Sequence, residues 1–212
     1  PYAMFEYSDI LGLYTNEFIK PTQDRYMTCD IAYTGSDKFV IVIWAGFVAL
    51  KIIAIDKIDD TMVSKKINEL RIENRVPLKN VIYDADGLQT FTRASTKLGN
   101  LVGATPFNNN GKPIKMHGKT ENFRNLKTQC YWYFAEAVKD SKIFIQEDKY
   151  RKQIIEELEQ INRLPFQDDG KIALEKKEEI KKRIGRSPDF ADSLMLRFFF
   201  ELKGKPRLRI IW

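Results

Sequence analysis

Four carboxylates carry the chemistry open to this sequence: Asp30, Asp84, Asp189 and Asp192. Asp30 sits mid-strand between Cys29 and Ile31, where an unpaired carboxylate is costly to bury. Asp84 falls at the carboxyl end of an apolar strand, where α/β sheets place ligand sites. Asp189 and Asp192 are spaced to share one face at the start of a helix. Plainer readings exist for each. Edge exposure or one hydrogen bond would excuse Asp30, and an Asx turn with Asp86 and Gly87 would account for Asp84. The helix dipole alone would favour Asp189. It accounts less well for Asp192, which lies deeper and beside a wholly apolar run. For the helix pair alone, site and cap weigh about equally. Brought together, the four would repel one another unless cations sat among them. Hard oxygen ligands without imidazole or thiolate favour Mg²⁺ or Mn²⁺. Two such ions about 4 Å apart can hold the attacking and leaving oxygens of a phosphodiester displacement. The chemistry implied is hydrolysis of a nucleic-acid backbone, with one metal lowering the pKa of the attacking water.

The elements that must position these groups are legible in the hydrophobic pattern. Residues 1–20 are aromatic and poorly periodic, as in a linker or docking arm, and 21–25 form a loop. Tyr26 to Ala32 alternates with period two. A turn at Thr34-Gly35-Ser36-Asp37 leads into Phe39-Val40-Ile41-Val42-Ile43-Trp44, an unbroken run suited to a strand buried on both faces. Ala45-Gly46 turns the chain into a third strand over Val48 to Asp56, which completes an antiparallel meander. Val63, Ile67 and Leu70 mark a helix that Asp59-Asp60-Thr61 can cap and Pro77 stops. Asn80 to Tyr83 is a short strand, Leu88 to Leu98 a helix and Leu101 to Phe107 a further strand. Helix–strand alternation after a meander predicts an α/β fold with a mixed sheet: three antiparallel strands, then parallel ones.

Further on, Asn108 to Pro113 is a loop. A helix is expected from Thr120, with Phe123, Leu126, Cys130, Phe134 and Val138 on one stripe. A short strand at Ile143 to Ile145 precedes a helix marked by Ile154, Ile155, Leu158 and Ile161. Leu164 to Leu174, broken at Asp168-Asp169-Gly170, is a hairpin signal. Glu175 to Arg183 reads as a solvated, charged helix closed by Gly185. Ser187 then suits an N-cap, with Pro188 at the first helical position, and Leu194 to Phe200 continues as a helix covered on most sides. Residues 204–212 form a basic tail.

The totals fit one good-sized domain or two small ones: 212 residues, 43% apolar and 30% charged, with a net charge of +6. That surplus is compatible with a polyanionic partner without demonstrating one. Cys29 and Cys130 make no disulfide framework and read as reduced core residues. With one histidine, His117, a His-rich metal site is excluded. No apolar run approaches the roughly 20 residues of a membrane span, and the amino end does not read as a signal peptide.

Three stretches resemble the motifs of one family: Cys29-Asp30-Ile31-Ala32-Tyr33-Thr34-Gly35-Ser36-Asp37, Val81-Ile82-Tyr83-Asp84-Ala85-Asp86-Gly87-Leu88 and Gly185-Arg186-Ser187-Pro188-Asp189-Phe190-Ala191-Asp192-Ser193-Leu194. They look like the nuclease domain of tailed-phage terminase large subunits, in the right order, with the third the most specific. The resemblance covers roughly Tyr26 to Leu202 and implies an RNase H-like nuclease domain over residues 21–203. It further implies cutting of concatemeric viral double-stranded DNA during packaging, with two Mg²⁺ or Mn²⁺ ions on Asp30, Asp84 and the Asp189/Asp192 pair. Members differ over which of the last two positions is the principal ligand, and both are kept. Implied partners are DNA, an ATPase domain, the portal protein and the small terminase subunit. The implied location is the cytoplasm of the infected host, with no membrane partner. No Gly-x-x-x-x-Gly-Lys-Ser/Thr loop occurs here, so ATP-driven translocation is not expected of this piece, and residues 1–20 fit an interdomain linker remnant.

Lys112, Lys115, Lys119, Arg124 and Lys127 could track a DNA backbone, though a solvated basic surface is as good a reading for any one. Asp37 and Asp86 fit turn chemistry, His117 fits a loop, and Tyr131 to Phe134 fits core packing. Two other classes stay open on the same scaffold. One is a non-catalytic DNA-binding or packaging-interaction module; the other is a different RNase H-like nuclease, such as a resolvase or transposase.

Overall fold

The computed structural model describes residues 2–31, 38–56, 60–84, 101–116, 118–165 and 169–204. In chain order these form β1 (Tyr2–Ala3), α1 (Tyr7–Gly12), β2 (Arg25–Asp30), β3 (Phe39–Ala45), β4 (Val48–Ile55) and α2 (Asp60–Glu73). Then follow β5 (Val81–Asp84), β6 (Thr105–Phe107), α3 (Leu126–Lys139), β7 (Phe144–Ile145), α4 (Arg151–Glu159) and β8 (Asn162–Arg163). Helices α5 (Lys177–Ile184), α6 (Asp189–Met195) and α7 (Phe198–Lys203) complete the described chain. The turn at 34–37, the expected helix over 88–98, Asp86, His117, Asp168 and the tail beyond 204 lie outside the described residues.

The main sheet has the order β6-β5-β2-β3-β4-β7. Strands β2, β3 and β4 form the expected antiparallel meander. Strand β5 joins β2 in parallel, β6 joins β5, and β7 joins β4 on the far side. Every residue of β3 is buried, and the period-two geometry of a strand explains why its run is apolar throughout. Val40, Val42 and Trp44 face a core built with α3, α4, α6 and α7. Ile41 and Ile43 face a second core with Val63, Ile67 and Leu70 of α2. Cys29 and Cys130 are free thiols, each buried in one of these cores.

Two helices differ from expectation. The helix expected from Thr120 starts only at Leu126, because the Asn125 side chain accepts the Thr128 amide at 2.9 Å and serves as N-cap. The run from Asp189 to Lys203 is two short helices rather than one. The junction holds Arg197, a buried guanidinium that donates to the Gly46 carbonyl at 3.1 Å and stacks 3.9 Å above the Tyr26 ring. No helix among the described residues is long and apolar enough to cross a membrane.

Residues 2–20, read above as a linker or docking arm, dock onto this body. Strand β1 pairs antiparallel with β8. Ile10 and Leu13 have 0% exposure. The Ile145 amide donates to the Leu13 carbonyl at 2.7 Å, and Asn16 donates from Nδ2 to the Ile143 carbonyl at 2.9 Å. Leu13→Ala should therefore cost about 2–5 kcal/mol, the range for a buried leucine truncation. Denaturant unfolding measures this; a loss below about 0.5 kcal/mol, the range of surface changes, would show that the segment adds nothing to the body.

Candidate active site

Parallel pairing brings the first two carboxylates together. Strand β2 registers Cys29 against Tyr83 of β5, so the next and last residues of the two strands, Asp30 and Asp84, stand side by side at the carboxyl edge of the sheet. The other two arrive on α6, which lies against β2 and β3. Its Ser193 hydroxyl sits 3.3 Å from the Thr28 carbonyl and 3.2 Å from the Val40 carbonyl, in a buried cluster with the Thr28 hydroxyl. Trp44 donates from Nε1 to that same Thr28 hydroxyl at 3.2 Å. This clasp fixes α6 on the sheet. Asp189 accepts the Lys38 amide at 2.7 Å, which ties it to the chain just before β3.

The four acidic groups share one environment. Asp30, Asp189 and Asp192 are buried, and Asp84 is half-buried and accepts from Asn109 Nδ2 at 3.0 Å. Burial pushes the Asp30 carboxyl well above the usual carboxylate range; Lys177 opposes this, and the charges of Asp192, Asp84 and Asp189 add to it. Burial also acts to raise Asp192, but the ammoniums of Lys127 and Lys177 outweigh it and hold that carboxyl below its ordinary value.

No protein-family model and no curated protein sequence matches the chain. Solved structures do. The nuclease domain of the large terminase subunit of bacterial virus Sf6 is 20% identical, with a TM-score of 0.78, over 92% of this chain and 97% of that one. The large terminase nuclease of thermophilic phage G20c is 13% identical, with a TM-score of 0.59, over 94% and 98%. The nuclease domain of Thermus phage P74-26 gives 13% and 0.53, over 92% and 94%. This chain has the fold of the large-terminase nuclease domain. The mixed sheet expected from the sequence is present, and the likeness in fold extends over nearly the whole length. Structures of the Sf6 domain contain manganese or calcium, and those of the G20c domain contain cobalt or magnesium.

In this terminase nuclease fold the helices supply groups that the sequence pattern does not announce. Lys127 and Tyr131 stand one turn apart on α3, and both reach Asp192 Oδ1 at 2.7 Å. Tyr131 is core, as expected, yet its hydroxyl donates to the site; a buried tyrosine's need for a partner is the signal that could have found it. Lys127, expected to track a DNA backbone, is turned inward onto Asp192. Lys177 opens α5, the helix read as solvated. Its ammonium lies 3.3 Å from Asp192 Oδ2 and 3.8 Å from Asp189 Oδ1. Burial would lower that ammonium's pKa, but Asp192, Asp30 and Asp189 raise it.

The cap of α6 also differs. The N-cap position is Pro188, and the buried Ser187 hydroxyl has no hydrogen-bond partner. Glu157 of α4 does the capping instead: its Oε2 accepts the amides of Phe190 at 2.9 Å and Ala191 at 3.0 Å. One carboxylate oxygen thereby satisfies two amides that a helix start leaves without partners.

The donor chemistry fits a hard divalent cation, and Asp192 Oδ2 accepts no well-aligned hydrogen bond. As the side chains stand, no three acidic, histidine or cysteine residues among the described ones converge closely enough to ligate one ion. Beside the cluster runs a groove of about 740 Å³ whose lining includes Asn109, Arg124, Lys127, Lys176, Lys177 and Asp192. Arg124 is exposed and lies 3.7 Å from Asp169. Lys112, Lys115 and Lys119 are exposed on the preceding loop.

Burial raises the Glu157 carboxyl from 4.5 to about 8, against the Ala191 amide and Arg186, with Asp189 and Asp192 adding to the rise. A folded-state pKa above the unfolded value means stability present below 4.5 and lost as pH climbs to about 8. In metal-free buffer the melting temperature should fall across that window, and Glu157→Gln should flatten the slope. Identical pH profiles for variant and parent would refute this.

Proposed function

We propose that this chain is a divalent-metal-dependent endonuclease acting on double-stranded viral DNA during genome packaging. One observation supports the reading: Asp30 and Asp84 at the carboxyl ends of two parallel strands, and the Asp189/Asp192 pair on α6, come from distant parts of the sequence and lie within electrostatic reach of one another. The fold around them is that of phage terminase nucleases. Bound Mg²⁺ or Mn²⁺, two ions in this reading, would supply Lewis-acid activation of the phosphate and of water. The chain's own residues do the rest. Asp30 and Asp84 present carboxylates from sheet backbone that cannot shift far. Asp189 and Asp192 add two from α6, which Glu157 and Ser193 hold in place. Arg124 and Lys176 offer positive charge to a phosphate chain lying in the groove. Nothing among the described residues resembles a recognition helix for the major groove; in this reading cutting is largely independent of sequence, and DNA affinity falls steeply with salt.

The substrate form is concatemeric DNA, and the setting is the cytoplasm of an infected bacterium. An ATPase domain, the portal protein and the small terminase subunit are the partners this role requires. A second reading, a DNA-binding or packaging-interaction module, draws on the ion pairs already made by Asp192.

Plasmid nicking with Mn²⁺ separates the two. Asp30→Asn and Asp84→Asn should each lower cleavage by more than ~100-fold, because changes to groups that only orient metal ligands already cost about 10–100-fold. Both variants should keep a cooperative melting transition. Full activity in both would end the nuclease assignment.

A further inference from the structure

The asparagine-rich turn after β6 does more than connect two elements. Strand β6 ends at Phe107, which lies in register with Asp84 of β5 and packs edge-on against the Phe199 ring, 5.6 Å between centroids. The chain then turns at Asn108. Its side chain accepts the Asn110 amide at 2.9 Å, and its carbonyl accepts the Gly111 amide at 3.0 Å. Such bonds from an asparagine to the backbone two residues on are what make it a turn former. The turn carries Asn109 back to the end of β5. There Asn109 Nδ2 donates to both oxygens of Asp84, at 3.2 Å to Oδ1 and 3.0 Å to Oδ2.

The same turn seats α3. The Leu126 amide donates to the Gly111 carbonyl at 2.8 Å, and the Lys127 amide to the Asn109 carbonyl at 3.2 Å. A helix start leaves these amides without partners inside the helix. Asn109 therefore binds at both ends. Its side chain holds Asp84, and its main chain holds the residue whose ammonium meets Asp192.

We propose that Asn109 is a positioning residue for Asp84: it sets the plane of that carboxylate and ties it to the start of α3. This rests on the reading of Asp84 as a carboxylate of the nuclease site. A carboxyl group at a strand end has a fixed backbone, but its terminal torsion is broad and roughly two-fold. A donor in contact with both oxygens removes that rotation. It does so without saturating the group, because an ionised carboxylate offers about four lone-pair sites. The residue type fits the task. An aspartate at this place would repel Asp84, whereas an amide supplies the N–H and adds no charge to the cluster.

The test uses the full chain and two readouts: Mn²⁺ binding by calorimetry without DNA, and steady-state plasmid nicking at saturating Mn²⁺. Asn109→Leu keeps the branched outline of the side chain and removes its N–H, while the carbonyl that receives the Lys127 amide stays. This variant should raise the Mn²⁺ midpoint and lower kcat by about 10–100-fold, the cost of losing a partner that orients a metal ligand. Its KM for DNA should not change, because ground-state binding is untouched. Asn110→Ala, at the exposed neighbouring position, should match the parent in all three readings. A leucine variant with parental midpoint and kcat overturns the inference. So does a raised KM at parental kcat, which would make Asn109 a DNA contact instead. Should the leucine variant not fold, Asn109→Ala is judged by the same readings. A parent that neither binds Mn²⁺ nor cuts DNA overturns the nuclease reading as well, whereas an active parent beside an unaffected leucine variant removes only the role of Asn109.

Discussion

Repulsion among buried carboxylates is the constraint that the rest of the structure answers. Two like charges about 5 Å apart cost about 3 kcal/mol at an effective dielectric near 20, and burial adds to the penalty for each. The chain meets this in three ways. It lets burial and the neighbouring carboxylates raise the Asp30 carboxyl well above the usual carboxylate range, with Lys177 opposing them. It surrounds Asp192 with two ammoniums and a phenol. It gives Asp189 a backbone amide and Asp84 a side-chain amide. Helices α3 and α5 therefore do more than cover the sheet, since each delivers a charge to its carboxyl edge.

Holding such a cluster demands a rigid frame. The frame is β2, paired with β5 on one side and β3 on the other, with α6 laid over β2 and β3. Small polar groups lock helix and strands together: Ser193 against Thr28 and Val40, with Trp44 donating to Thr28. Buried hydroxyls can act this way because each finds a partner, which turns a desolvation penalty into a directional constraint. Glu157 does the same from the opposite side, fastening the start of α6 to α4.

The parts of this arrangement that follow local periodicity were legible in the sequence. The meander was visible in the alternation of Tyr26 to Ala32 and the apolar run of β3, and Asp84 stood out at the end of an apolar strand. Asp189 and Asp192 were visible as a pair through helical spacing. What local pattern cannot carry is a partner from another element. Lys177 sits in a highly charged helix where nothing distinguishes it from Lys181 or Lys182, and only tertiary packing selects it. Glu157 was more accessible: it falls three residues after Ile154 and one before Leu158, a carboxylate on an apolar face. Ser187 misled because N-cap rules describe a helix in isolation, whereas here a neighbouring helix supplies the acceptor. The break at Arg197 was hidden because a fully apolar run gives no periodic cue to where one helix stops.

The sheet also acts as a partition. Val40, Val42 and Trp44 belong to one apolar cluster, and Ile41 and Ile43 to another on the reverse side. The acid-bearing helix touches only the first. Substitutions beneath α2 can thus accumulate, compensate each other and reshape that side while the carboxyl edge stays where it was. Such insulation is one way a single fold tolerates wide divergence, as between this chain and the Sf6 domain at 20% identity, because a change beneath one helix layer need not be answered in the other.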